Sequence, residues 1–382
     1  QTQTFSRTKD FVASSAAALV SDRRYRETNF IRQQPMSEIC HFFHQASRRP
    51  YSKGMVPPNF WENSMQVLDE KQTREALPFD ELISAIERMF ASDCVTPLRH
   101  HHEMEVPGEA DATMLLMPCW LPGQYSGVKF LNLFPDNHLR SLPTIIGRYL
   151  LSSGKTGEIL ALIEGGELTA RRTAATSALA SRYLSREDSR DLVMVGTGRL
   201  SLNLMEAHYR VRPIERVRIW GRDLRKSSLL AEEAIKLGIP AEAAPSLEDA
   251  ARQADIISCA TLSNEPLIRG EWLKPGCHVD LVGAFKPTMR ESDDTAIQRS
   301  SVFVDTYEGA THEGGDIAIP LKTGVLKLED IRGDMRELVT GKRPGRTSQA
   351  EITLFKSVGA ALEDLAGAIL AYETTLRATD NR

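Results

Sequence analysis

The chain has 382 residues, 41% of them apolar and 26% charged. That length favours two domains, and the balance is that of a globular protein, not of a collagen-like, coiled-coil or wholly disordered one. Lys+Arg 47 against Asp+Glu 51 leaves a net charge of -4, which weighs against a dedicated nucleic-acid binder, and no apolar run approaches the ~18 residues of a membrane-crossing helix.

Residues 1–64 stand apart, with 9 Lys+Arg against 5 Asp+Glu and no sustained helical or strand period. The run Phe11–Val20 follows Arg7 and Lys9 in the manner of a signal peptide, but Ser14 and Ser15 interrupt it. The stretch is read as an extension of unassigned role. Organised sequence begins at Met65, which would serve as a natural start. Phe79–Phe90 puts Leu82, Ile83, Ile86 and Phe90 on one helical face. Short β-like runs follow at Thr113–Trp120, Ser126–Phe134, Tyr149–Ser152 and Glu158–Ile163, several divided by Pro or Gly. They predict a mostly antiparallel sheet.

Thr169–Leu184 (TARRTAATSALASRYL) reads as a helix capped by Thr169. Its first turn would then hold Arg171 and Arg172, cations that the helix dipole disfavours; they either face solvent or meet a bound anion. Beyond this helix the period changes. Apolar strands at Leu192–Val195, Arg216–Trp220, Asp255–Ala260, His278–Gly283 and Val302–Asp305 alternate with helices, including Ser227–Leu237 and Ser246–Gln253. That is the pattern of a parallel sheet covered on both faces. After Gly314 helices return, and Ile352–Tyr372 is long and amphipathic.

The cysteines, Cys40, Cys94, Cys119, Cys259 and Cys277, are odd in number, widely spaced and without a C-x-x-C. This argues against a disulfide framework or zinc site and suits a reducing cytosol. The side chains of His100, His101 and His102 would diverge on any regular element, and no nearby carboxylate and Cys set completes a site, so no metal is expected.

Gly196-x-Gly198-x-x-Ser201 follows an apolar strand and opens a helix, the context in which such a turn binds a dinucleotide. Gly196 permits the turn, Gly198 lets a pyrophosphate near the backbone, and Ser201 lets the helix pack on the strand. Thr197, Arg199 and Leu200 belong to the same cofactor-facing turn. The second strand ends Trp220-Gly221-Arg222-Asp223, without the terminal carboxylate that holds an NAD ribose. Arg222 is suited to a 2′-phosphate, with Lys226 as a second cation; the alternative is that Asp223 takes the ribose and Arg222 is solvated. NADPH is therefore the expected cofactor, with NADH weaker.

The stretches TPLR (Thr96–Arg99), GVKF (Gly127–Phe130), LTARRTAATSALA (Leu168–Ala180), the VGTG turn, RVRIWGR, LVGAFKP (Leu281–Pro287) and FKSVGAALEDLA (Phe355–Ala366) resemble the ornithine cyclodeaminase/mu-crystallin family from Met65 to about Tyr372. The resemblance implies an α/β protein in which a Rossmann domain is inserted in an α+β substrate-binding and dimerisation domain. The expected boundaries are 65–180 for the first part of that domain, 181–314 for the Rossmann domain and 315–382 for C-terminal helices completing the first. It also implies a cytoplasmic homodimer acting on small amino or imino acids. The family's substrate-binding arginine falls on Arg99, its lysine on Lys129 and its helix-start arginine on Arg172, which also borders the cofactor. Thr144, Thr261, Val282, Gly283 and Ser357 complete the expected cofactor set. A forked arginine suits an α-carboxylate. A lysine in a largely apolar strand either snorkels or serves function, and the resemblance favours function, as a proton-transfer group.

Ornithine cyclodeaminases and the related alanine dehydrogenases carry an Asp where LVGAFKP has Phe285. Phe cannot pair with an ammonium or activate water, whereas reduction of a preformed C=N bond needs only a hydride and a proton. The expectation is a ketimine reductase acting on Δ1-pyrroline-2-carboxylate, Δ1-piperideine-2-carboxylate or both, with Phe285 against the ring. The alternatives are an ornithine or lysine cyclodeaminase, an alanine or N-alkyl amino-acid dehydrogenase, and a non-enzymatic binding protein.

Overall fold

The computed structural model describes residues 65–380, which form two sheets with helices around them. The expected extension 1–64 lies outside the described residues. The first sheet has six strands: β1 (Gln66–Leu68), β2 (His100–Met104), β3 (Ala112–Leu121), β4 (Tyr125–Leu133), β5 (Ile145–Ser153) and β6 (Ile159–Glu164), in the order β1-β6-β5-β4-β3-β2. All its pairs are antiparallel except β1 with β6. The strand period of two puts Met117, Lys129, Tyr149 and Leu151 on the covered face. Between β1 and β2 lie α1 (Glu70–Glu75) and α2 (Phe79–Ala91); the predicted stripe Leu82, Ile83, Ile86 and Phe90 of α2 is buried in the core. The three histidines run along edge strand β2, exposed and pointing alternately to its two faces.

The chain then enters α3 (Gly165–Leu184), buried along most of its length. Thr169 is not its cap. Glu164 is, its carboxylate accepting from Gly166 N and Glu167 N at 3.0 and 2.6 Å, while Thr169 Oγ1 donates to Gly165 O. The helix begins four residues earlier than expected because Gly165 lets it start against the backbone of Gly147, which a Cβ would strike at 2.7 Å. Arg171 and Arg172 therefore lie past the first turn, and the helix-start argument for a bound anion falls. Arg171 donates to Leu77 O and stacks on Phe79; only Arg172 turns toward the candidate site.

The second sheet is wholly parallel: β7 (Asp191–Val195), β8 (Arg216–Trp220), β9 (Ala241–Ala243), β10 (Ile256–Cys259), β11 (His278–Leu281), β12 (Ser301–Val304), β13 (Gly333–Asp334) and β14 (Thr353–Lys356), ordered β13-β12-β14-β11-β10-β7-β8-β9. Helices α4 (Arg199–Val211), α5 (Leu224–Lys236) and α6 (Leu247–Gln253) follow β7, β8 and β9, and α7 (Asp294–Arg299) precedes β12. The five predicted strands are present, and the order reverses between β7 and β10. That is the topological switch point where doubly wound sheets bind ligands.

The boundary at 314 does not hold for this sheet. After α8 (Tyr307–His312), α9 (Gly315–Thr323) and α10 (Met335–Val339), the chain returns as β14, between β11 and β12. The reading of Ile352–Tyr372 as one helix is likewise corrected. Thr353–Lys356 are fully buried as a central strand, Gly359 turns with φ +83°, and α11 (Ala361–Asp380) starts beyond it. An apolar run short enough to be an inner strand is indistinguishable by period from a buried helix.

Helix α3 is tied to this sheet by a buried carboxylate: Asp280 on β11 accepts from Ser177 Oγ at 2.9 Å and from Ser258 Oγ at 2.7 Å. Ser177→Ala removes one donor from that buried charge and is expected to cost about 1–3 kcal/mol, read as a lower urea midpoint with unchanged m-value. An unchanged midpoint would show that Asp280 is held by its other contacts.

Candidate active site

The glycine turn after β7 has the form a dinucleotide needs. Gly196 adopts φ +119°, and a Cβ there would meet Ala260 O at 2.7 Å, so only glycine fits. Ser201 is buried, its hydroxyl donating to Gly196 O. Gly198 is the N-cap of α4 with no side-chain cap, and space around it is open to 4 Å. The first N–H groups of α4 thus face an open cradle, which fits a pyrophosphate. Thr197, Gly198, Arg199 and Lys226 line a cavity of about 450 Å³ there. Arg199 itself is engaged by Glu70 at 3.0 Å, with Glu167 at 3.6 Å. Leu200 packs on the core beneath the turn. Gly221 is tight, with Thr197 at 2.8 Å from a Cβ position. Arg222 follows, exposed. Asp223, the alternative ribose ligand, is the N-cap of α5 and accepts from Arg225 N.

Further along the same edge, Thr261, Val282, Gly283 and Ser357 directly follow β10, β11 and β14, whose last residues are in register. Buried Glu291 binds these ends together: it accepts from Thr261 N at 2.7 Å, Thr261 Oγ1 at 2.8 Å, Gly283 N at 2.7 Å and Ala284 N at 3.2 Å. Burial pushes its carboxyl up to about 7, against the pull of Lys356. Gly283 has no room for a side chain, since a Cβ would lie 2.0 Å from Thr261 O. Ser357 is also buried, and its hydroxyl donates to Asp305 Oδ2, the oxygen that accepts from Val358 N and Gly359 N at 2.7 Å.

The turn so fixed carries the sheet edge to the cations. Gly359 O accepts from Arg99 Nη2 at 2.7 Å, and a Cβ on Gly359 would lie 2.4 Å from Arg172 Nη1. Arg172 donates to Asp364 Oδ1 at 2.8 Å and Glu363 Oε2 at 2.6 Å. Lys129, 1% exposed, has its Nζ 2.7 Å from Asp364 Oδ2. The three residues expected from the resemblance therefore meet, arranged around Gly359 and Asp364. Burial pulls the Lys129 ammonium down to about 8, with Asp364 opposing and Arg172 assisting. Burial would raise Asp364, but Arg172 and Lys129 outweigh it and hold its carboxyl below the ordinary range. Arg99 is the accessible member: it also pairs with Glu313 at 3.2 Å, and with Thr96, Met117, Glu313 and Gly359 it lines a cavity of about 210 Å³.

Two expected residues do not line the Arg99 cavity. Phe285, 36% exposed, is on the loop leaving β11. Its neighbour Lys286 accepts from Gly315 N, two residues beyond Glu313. Thr144 is exposed just before β5, and its carbonyl accepts from Phe134 N. Sequence reasoning missed Glu313, Glu363, Asp364 and Glu291. The pair Glu363-Asp364 was visible as adjacent acids inside a quoted motif; nothing in the sequence marked Glu291 or Glu313.

A nicotinamide-dependent oxidoreductase needs a dinucleotide seat that ends beside a substrate pocket. In this chain one turn, Ser357–Gly359, leads from the edge of the parallel sheet to the cations, and its relatives show it to be an enzyme of that class. Comparison with known proteins is narrower: the chain matches the ornithine cyclodeaminase/mu-crystallin family over residues 63–379 and belongs to it. Protein SAR DEFICIENT 4 of Arabidopsis thaliana is 43% identical over 75% of this chain and 89% of its own. A Delta(1)-pyrroline-2-carboxylate reductase of Colwellia psychrerythraea is 36% identical over 80% and 97%. Among solved structures, the Delta(1)-pyrroline-2-carboxylate reductase of Thermococcus litoralis, in complex with NADH and L-proline, has TM-score 0.77 and 35% identity over 82% and 98% of the two chains. An archaeal alanine dehydrogenase dimer with bound NAD has TM-score 0.75 and 28% identity over 82% and 97%.

Asp364 raises the Lys129 ammonium against the effect of burial. Asp364→Asn is therefore expected to move the Lys129 titration from about 8 to lower pH, observable in the ¹H–¹³C signals of its ε-methylene. A titration that stays put or rises would contradict the pairing.

Proposed function

We propose that the protein reduces cyclic ketimines with NADPH, converting Δ1-pyrroline-2-carboxylate to L-proline and Δ1-piperideine-2-carboxylate to L-pipecolate. The observation that carries this reading is the meeting of Arg99, Lys129 and Arg172 around Gly359 and Asp364, beyond the edge of the parallel sheet; the family resemblance adds Phe285 where amine-deaminating members are expected to carry an acid. The pyrroline-2-carboxylate reductases among its relatives support the same chemistry.

When bound, the coenzyme supplies a hydride to the imine carbon. The glycine turn and α4 would hold its pyrophosphate, Arg222 and Lys226 a 2′-phosphate, and Thr261 with Gly283 the floor at the nicotinamide end. The commitment of Asp223 to capping α5 favours the phosphate reading. Arg99 takes the substrate carboxylate, exchanging its pairing with Glu313 for the incoming anion. Arg172, locked by Glu363 and Asp364, adds a fixed positive charge beneath Gly359. Lys129 holds a proton on Nζ and passes it to the imine nitrogen; an ammonium near 8 holds that proton at neutral pH yet gives it up readily. Alignment of the imine by these groups supplies much of the rate.

A homodimer in the cytoplasm accompanies this reading. Apolar Phe130, Ile145 and Ile146 stand exposed on the six-stranded sheet, as a surface to be covered would have them. Among the described residues no helix is long and apolar enough to cross a membrane.

The test is NADPH oxidation with the five- and six-membered imines, set against L-ornithine with NAD; ammonia release from ornithine without imine reduction would overturn the proposal. Lys129→Met is expected to lower kcat by about 10²-fold or more while NADPH still quenches protein fluorescence. Activity limited by the Lys129 proton is present below pH about 8 and declines above it. Arg222→Ala should raise the Kd for NADPH by about tenfold or more and leave NADH little changed; equal losses would remove the 2′-phosphate assignment.

A further inference from the structure

The mechanism leaves one pair of reactive groups beside the carboxylate pocket unused. A backbone bridge between Val95 and Trp120, made by both N–H···O bonds at 2.9 and 3.1 Å, sets Cys94 next to Cys119 on β3. Their sulfurs are 3.2 Å apart. A disulfide closes at about 2.05 Å, so closure needs only a small displacement of a segment outside the regular strands. We propose that Cys94 and Cys119 form a reversible thiol–disulfide site, and that its closure pins the Thr96–Arg99 segment of the carboxylate pocket against β3.

The pair is built asymmetrically, as a peroxide-reactive dithiol requires. Cys94 is half-buried and Cys119 buried. Hydrogen bonding with Cys119 lowers the Cys94 thiol, with a lesser contribution from the Arg336 charge, while the same bond and burial raise Cys119. Cys94, the more accessible of the two, meets the oxidant first and is the attacking group, and buried Cys119 is the resolving thiol. The other two described cysteines, Cys259 and Cys277, are buried with their thiols raised by burial, which protects them. The oxidant is a hydroperoxide. With hydrogen peroxide, the Cys94 thiolate attacks one peroxide oxygen, an S–O bond forms as the O–O bond breaks, and the expelled hydroxide leaves as water after protonation. Cys119 then attacks the sulfenic sulfur, the S–O bond breaks, and a second water carries away that oxygen with the thiol proton. Each sulfur loses one electron and the peroxide gains two. A dithiol reductant reverses the bond.

The consequence follows from position. Two residues past Cys94, Thr96 Oγ1 is 3.7 Å from Cys119 Sγ. Thr96, Arg99 and Met117, two residues before Cys119, line the same cavity of about 210 Å³. Arg99 must leave Glu313 to take a substrate carboxylate, and a cross-link five residues away limits that movement. The kinetic consequence rests on the reductase reading; the cross-link does not.

The experiment treats the full chain with hydrogen peroxide, then maps cysteines by alkylation and mass spectrometry and follows backbone hydrogen exchange. The expected result is a Cys94–Cys119 linked peptide, lighter by two hydrogens and restored by dithiothreitol, with slower exchange across 95–99. Cys119→Ser should stop at a sulfenic acid on Cys94 that dimedone traps; Cys94→Ser should leave Cys119 reduced. In the oxidised wild type, KM for the imino acid should rise by about tenfold with the Kd for NADPH unchanged, and neither serine variant should respond. Over-oxidised or alkylated Cys94 without the linked peptide overturns the site. A linked peptide with unchanged exchange across 95–99 overturns the pinning. A linked peptide with slowed exchange but no imine turnover upholds the proposal and faults the substrate assignment instead.

Discussion

The structure depends most on Asp364, a buried carboxylate at the start of α11 that holds Lys129 from β4 and Arg172 from α3 on its two oxygens. Three elements distant in sequence are brought to one point by opposite charges with little water to screen them. An ion cluster of this kind is costly to desolvate and adds little net stability, but losing one member is severe. Here the members nearly balance: Lys129 and Arg172 against Asp364 and Glu363, and Arg99 against Glu313. The cluster's value therefore lies in fixing positions. It holds Lys129 with a titration near 8 and leaves Arg99 as the most accessible of the three cations.

The second constraint is the turn Ser357–Gly359. Asp305 gathers its hydroxyl and two backbone N–H groups, so the turn is rigid, and Gly359 lies between Arg99 and the Arg172 guanidinium. Because β14 precedes this turn in the middle of the parallel sheet, the sheet edge and the cation cluster are joined through one hydrogen-bonded turn. Glu291 does the same for Thr261 and Gly283. The two buried acids hold the ends of four strands without themselves facing the cavity.

Much of this was legible in the sequence. The helix at Phe79, the five parallel strands and the glycine turn follow from local periods and turn chemistry, which act within a few residues. The convergence of Arg99, Lys129 and Arg172 came from the family resemblance; composition and spacing could not supply it. Three errors share one cause. Thr169 was read as a cap, Ile352–Tyr372 as one helix and 314 as the end of the sheet because each depends on a distant neighbour: the backbone of Gly147, the strands flanking β14, and β14 itself. The two cysteines 25 residues apart likewise gave no sign of contact until the Val95–Trp120 bridge brought them together.

The sequence by itself determined which segments alternate as strand and helix, where the glycine turn lies, and, with the resemblance, which cations were expected to meet. Only the tertiary structure decided which acids partner those cations, which cation stays most accessible, and which strand completes the sheet. The reason is physical: local propensity and periodicity are properties of neighbouring residues. Hydrogen bonding, ion pairing and burial depend on groups far apart in the sequence, 260 positions for Arg99 and Gly359, that meet only once the chain has folded.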